Sequence, residues 1–134
     1  MSTAHSVVGT TVGKIASEAI TKYRAVKLNS SDNDSVDAVD TLGEVAYGVA
    51  TETASATDAT NNRVIAVQTE GIVVIEAGAA LSAGANVRAD ASGKAVALAA
   101  TTANQERVGV LEEASAADGD WVACRLTLDQ FTTT

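Results

Sequence analysis

A constant offset organises this chain. Ala19-Ile20-Thr21, Val26-Lys27 and Gly48-Val49 return as Ala80-Leu81-Ser82, Val87-Arg88 and Gly109-Val110, each shifted by 61 in sequence number. A common offset across apolar, basic and glycine positions predicts one supersecondary unit used twice. Valine outnumbers leucine 17 to 7, and β-branched residues favour strands. Glycines and polar clusters interrupt the chain at short intervals, which fits an all-β class. Proline is absent, so turns must be made by Gly, Asn, Asp and Ser. The expected architecture is a compact all-β domain, barrel-like or sandwich-like, of two similar β units with at most one short helix.

A length of 134 residues fits one domain. Its core is thin: 17 Val, 5 Ile, 7 Leu and 1 Phe make 30 large apolar residues among 134. That fraction lies just above the roughly 20% below which a charged chain stays disordered. The 27 alanines swell the hydrophobic content but bury little area each. Such a core invites support from other copies or from a larger surface.

The net charge of −8 weighs against nucleic acid, whose phosphates call for a basic footprint. Residues 1–28 carry Lys14, Lys22, Arg24 and Lys27 against Glu18, a balance of +3, leaving −11 for the rest. That asymmetry fits ordinary surface lysines on an acidic body, or a basic arm docking on an acidic neighbour. No apolar run reaches the roughly 18 residues that a membrane span needs. The first residues lack the charged and apolar regions of a signal peptide, so the expected product is cytoplasmic. A lone cysteine, Cys124, permits no internal disulfide.

Residues 1–14 are expected to form an extended N-terminal arm, with Gly9 and Gly13 as swivels, and 15–134 a single β-rich domain. Strands are expected at Ala25–Leu28, Val36–Val39, Glu44–Ala50, Asn86–Ala89, Lys94–Ala97, Val108–Glu112 and Asp120–Leu128. Thr51–Asn62 has no large apolar residue and is expected as a loop. Val64–Val67 and Ile72–Ile75 flank a four-residue, Gly-containing connection and are expected to form a hairpin. Neither run alternates, so both faces should be covered. Either the hairpin is central in a monomer, or one face, carrying Ile72 and Val74, meets a subunit neighbour. Ala97–Gln105 is a candidate short helix.

The chemical inventory is poor. His5, the single histidine, lies in the arm, where nothing would hold it against a nucleophile. Cys124 alternates with Val122 and Leu126, as a buried structural thiol would. Asp32-Asn33-Asp34 and Asp37 lack the Gly and the final acid of an EF-hand loop. Glu112 and Glu113 are adjacent, and neighbours on a strand point to opposite faces. Gly78–Gly84 matches no nucleotide-binding glycine pattern. The four aromatics are too few for a nucleic-acid stacking platform, and Trp121 reads better as a core anchor than as a ligand-stacking ring. No catalytic, metal or cofactor site is expected, and no enzyme.

The stretch Glu76-Ala77-Gly78-Ala79-Ala80-Leu81-Ser82-Ala83-Gly84-Ala85-Asn86-Val87 resembles a segment of small tailed-phage capsid cement, or head decoration, proteins. Val67 through Ile75 resembles the strand pair that precedes it. Gly93-Lys94-Ala95-Val96, Val108-Gly109-Val110-Leu111 and Gly119-Asp120-Trp121-Val122-Ala123-Cys124-Arg125-Leu126 resemble the family's downstream motifs. Tyr47-Gly48-Val49-Ala50 fits in the first half. The resemblance spans most of residues 15–128. It implies a non-enzymatic virion protein, an oligomer and often a homotrimer. Its implied partner is the major capsid protein on the outside of an icosahedral head. The arm, with Val7, Val8, Val12 and Lys14, would then lie along that partner and add a strand to an exposed edge. The competing expectation is a glycan- or surface-binding β module of a phage tail or fibre.

Overall fold

The computed structural model describes residues 9–99 and 105–131. The elements are β1 (Thr11–Ala16), β2 (Ala25–Leu28), β3 (Ser35–Ala38), β4 (Gly48–Ala50), α1 (Ala56–Thr60), β5 (Val64–Gln68), β6 (Ile72–Glu76), β7 (Asn86–Ala89), β8 (Ala95–Ala97), β9 (Gln105–Leu111) and β10 (Trp121–Phe131). The fold is all-β, as expected.

The first five strands close a barrel in the order β1-β3-β2-β4-β5, and the second five form a sheet in the order β6-β10-β9-β7-β8. A parallel bridge between Ala77 and Ala95 draws the edges of the second sheet together. Read as a circle, the second order is the first with every strand advanced by five. The parallel β1–β3 pairing corresponds to that Ala77–Ala95 bridge.

Hydrogen bonds repeat with the strands. The Ile20–Ala54 bridge returns as Leu81–Ser115, each residue shifted by 61. Tyr23 N–H donates to the Ala50 carbonyl at 2.7 Å, and Gly84 N–H to that of Leu111 at 2.7 Å. After Ala54 the offset drops to 57: β1 pairs Thr11 with Gln68, and β6 pairs Ile72 with Arg125. The four surplus residues of the first unit lie between Ala54 and Val64, where α1 sits.

That helix occupies a segment expected to be a loop. Its signal is local and polar: Ser55 Oγ accepts from Asp58 N–H at 3.1 Å and an Asp58 carboxylate oxygen accepts from Ser55 N–H at 2.9 Å. These two bonds make a capping box, and no residue of α1 is buried. The helix expected near 97–105 is not formed at its described ends, where Ala97 closes β8 and Gln105 opens β9.

The expected hairpin is also absent. β5 has both edges occupied, by β1 and by β4, and β6 pairs with β10 instead. Gln68–Gly71 is therefore the passage from the first unit to the second. Gln68 Nε2 braces it by donating to the carbonyls of Glu70 and Ile72, both at 2.9 Å. Gly71 supplies a left-handed φ of +86°. A crossover and a hairpin turn share this composition, and only the partners of the flanking strands separate them.

The Glu44–Ala50 strand is shortened to Gly48–Ala50. Glu44 is held in a turn, one carboxylate oxygen accepting from Asp40 and Thr41 N–H at 3.0 and 2.9 Å.

Strand alternation divides the apolar residues between two clusters. Val26, Ala50, Ile65 and Val67 fill the first barrel together with Ala16, Ile20, Val36 and Ala54. Ala25, Val39, Ala46 and Val49, from the outer side of that barrel, join the second cluster with Val73, Ile75, Val87, Val108 and Leu111. The units are thus fused through apolar burial, and the many buried alanines let their strands approach closely.

Candidate interaction surface

The seam between the units carries a cluster of polar and aromatic groups. Tyr23 precedes β2 in a left-handed conformation, φ +66°, and its ring meets Trp121 edge-on at 4.9 Å between centroids. Lys22 Nζ stands 5.2 Å from the Tyr23 centroid and 4.9 Å from that of Trp121, a cation–π arrangement. Trp121, expected as a core anchor, is 39% exposed. The reason is register: Val122 and Cys124 take the inward positions of β10, which turns Trp121 outward.

Beside this group, Arg24 Nε donates to Glu76 at 3.0 Å. Lys94 Nζ lies 3.6 Å from the other Glu76 oxygen and 3.0 Å from Asp118. The hydrogen bond to Asp118 holds the Lys94 ammonium above the usual lysine range. Glu76 thus joins a cation of each unit.

A second surface opens at the end of the first barrel. Lys27, Leu28, Glu44, Val45, Ala46 and Tyr47 line a cavity of about 450 Å³. Leu28 is 43% and Val45 64% exposed. Lys27 Nζ donates to Glu44 at 2.7 Å and to Asp40 at 3.0 Å. These bonds push the Lys27 ammonium well above its ordinary value and hold the Asp40 carboxyl below its own. Lys14 Nζ donates to the Asn33 carbonyl at 2.6 Å and lies 5.3 Å from the centre of the Tyr47 ring.

Two residues expected on the arm are therefore in the barrel. Val12 and Lys14 belong to β1, directly opposite Val67 and Ile65 of β5, and opposed residues share a face. Both consequently point toward the barrel's inner side, because Ile65 and Val67 are core residues. Val7, Val8 and His5 lie outside the described residues. Ile72 and Val74 occupy the outer side of β6. Ile72 is half-buried, and Val74 is only 6% exposed within one chain.

No motif or apolar run marks Leu28 or Val45. The repeat holds the signal that finds them: a shift of 61 places Ala89 against Leu28 and Glu106 against Val45. Large apolar side chains thus stand in the first unit where the second has small or charged ones.

The described residues offer little to a reaction. Cys124 is fully buried, and burial pushes its thiol up to about 12. Glu113 accepts a hydrogen bond from Ala123 N–H at 2.8 Å. Asp32 caps its own loop, accepting from Asp34 N–H at 2.9 Å and Ser35 Oγ–H at 2.8 Å. No cluster of three metal-binding side chains occurs among the described residues.

The fold has a counterpart among solved structures. The head fiber gp8.5 N base in bacteriophage phi29 is similar with a TM-score of 0.68 and 14% identity, covering 91% of this chain and 97% of that one. At that identity the likeness concerns the fold. No curated protein matches the chain. The phage cement protein family model matches residues 54–126, the last of the first unit and most of the second, more than half of the sequence. The chain belongs to the phage cement protein family, whose members are structural proteins of the phage capsid.

Proposed function

We propose that this protein binds the outer surface of an expanded icosahedral phage head as a homotrimer, and stabilises it by bridging neighbouring major capsid proteins. The match to the cement family over residues 54–126 carries the reading. A protein that binds only the expanded shell stabilises that state by mass action. Many bound copies add their modest contacts. The N-terminal segment with Val7 and Val8 is the proposed capsid contact.

The test is to mix the purified protein with undecorated expanded heads and measure bound copies and the melting temperature of the shell. Saturable binding with a raised melting temperature is expected. No binding with no thermal shift would remove the reading. Deleting residues 1–8 is expected to abolish binding and leave the fold intact. A deletion reaching residue 13 would cut into β1 and confuse loss of contact with loss of fold.

A glycan-binding module is the second reading, favoured by the exposed Trp121 ring and its edge-on contact with the half-buried Tyr23. It ranks second because the Lys22 ammonium already stands over both rings, where a sugar would stack. A glycan-dependent change in Trp121 fluorescence would raise it.

A further inference from the structure

The two units are related by a shift of 61 in sequence number, yet the same surface is sealed in one and open in the other. In the second unit Val73, Ile75, Ala89 and Val108 are buried in one apolar cluster with Ala25, Val39, Ala46 and Val49 of the first. Backbone bonds fix this seam: Gly43 N–H donates to the Ala89 carbonyl at 2.8 Å, and Ala25 N–H to that of Gly93 at 2.8 Å. Moved back by 61, the sealed residues become Val12, Lys14, Leu28 and Tyr47. These form the open end of the first barrel, where Leu28 is 43% and Val45 64% exposed.

The complementary face also has its counterpart. Moved forward by 61, the sealing residues Ala25, Ala46 and Val49 become Asn86, Arg107 and Val110. These lie together on the second unit: Asn86 pairs with Val110 across β7 and β9, and Arg107 Nη1 donates to Asn86 Oδ1 at 2.8 Å. Polar groups replace alanines on both faces: Asn86 and Arg107 on the sealing face, where Arg107 also holds the Asp129 carboxylate at 2.8 and 2.7 Å, and Asp34, exposed beside the open end, where the second unit has the buried Ala95.

We infer that the open end of the first barrel receives a second copy of this chain, head to tail, through the Asn86–Arg107–Val110 face of that copy's second unit. The contact would repeat between molecules the seam already formed within one. Such a heterologous interface builds rings when its rotation closes. The inference deepens the oligomer part of the proposed function. It does not depend on the capsid being the target.

Sedimentation equilibrium on the full chain tests it. The wild type is expected at a multiple of its 13.5 kDa mass. Leu28→Glu and Val45→Glu, both at exposed positions, are expected to weaken association about thirtyfold or more, with circular dichroism unchanged. Val64→Glu, on the outer wall of the same barrel, should leave the mass unaltered. Mixing Leu28→Glu with Val110→Glu should restore one-to-one dimers, because each variant retains the face the other lacks. A monomeric wild type, or a Leu28→Glu variant that associates like the wild type, overturns the inference. Capsid binding by the same proteins separates the two readings. Loss of head binding by Leu28→Glu with an unchanged mass would assign the open end to the capsid. Self-association that responds to these variants in a wild type that ignores heads would sink only the capsid reading.

Discussion

Tyr23 and Gly84 hold the same place in the two units, and both adopt left-handed backbone, with φ of +66° and +84°. Each N–H closes the equivalent bond, to Ala50 and to Leu111. A Cβ at Gly84 would meet nothing within 4 Å, so Gly84→Ala should cost only the backbone term, about 1 kcal/mol. Tyr23 already bears that cost, offset by its contact with Trp121. Tyr23→Ala should therefore be less stable than Tyr23→Gly by the same ~1 kcal/mol. Urea midpoints at constant m-value measure both differences, and a clear mismatch between them would break the equivalence of the sites.

Gly48 and Gly109 are a second matched pair, constrained by space and not by φ. A Cβ at Gly48 would fall on the Gln68 carbonyl oxygen, and one at Gly109 on that of Arg125. In each case a neighbouring strand backbone, β5 or β10, would have to retreat. Gly109→Ala would also press on Cys124 Sγ, 2.7 Å away. Both alanine variants are expected to lose about 3 kcal/mol or more, as overpacking of a closed site does. Thermal melts showing losses below that of Gly84→Ala would contradict the close approach.

The repeat was legible because it rests on turns and glycines that recur at one spacing, and those residues define the shared bonds. Strands rich in valine were legible for the same local reason. Pairing was not. Val64–Val67 and Ile72–Ile75 look like the arms of a hairpin because sequence records apolar runs and the turn between them. It does not record that β1 and β4 already occupy both edges of β5. Trp121 is a matter of parity: the run after the turn identifies a strand but does not fix which alternate positions face inward. Leu28 is ordinary within a regular strand, and only the covered state of its counterpart Ala89 sets it apart.

Cys124 gives a pH prediction with a definite sign. Burial raises its thiol from about 9 to about 12. Between those values the unfolded chain gives up a proton that the folded chain keeps, so stability falls as pH rises through this window. Cys124→Ser should flatten that part of the pH–stability curve, although burying a hydroxyl lowers its overall level. The native thiol should also resist alkylation at pH 8 and react promptly in denaturant. Rapid labelling of the folded protein would show that the site opens.

The excess of four residues in the first unit leads to a segment exchange. Residues 55–63, containing α1, correspond to 116–120 in the second unit. The flanking anchors match: Ala16 N–H donates to the Arg63 carbonyl at 2.9 Å, and Ala77 N–H to that of Asp120 at 2.7 Å. Asn62 and Gly119, one residue earlier, share positive φ values of +57° and +96°. Replacing Ser55–Arg63 with the sequence of Ala116–Asp120 should therefore keep the β5 register. The helix buries none of its residues, and the lost Arg63 pairs with Glu52 and Asp58 are exposed, where such bridges contribute little. The melting temperature is expected to move by only a few degrees, with strand amides retaining their hydrogen-exchange protection. Collapse of protection in β1 and β5 would mean that α1 anchors the barrel and is more than an insertion into the repeat.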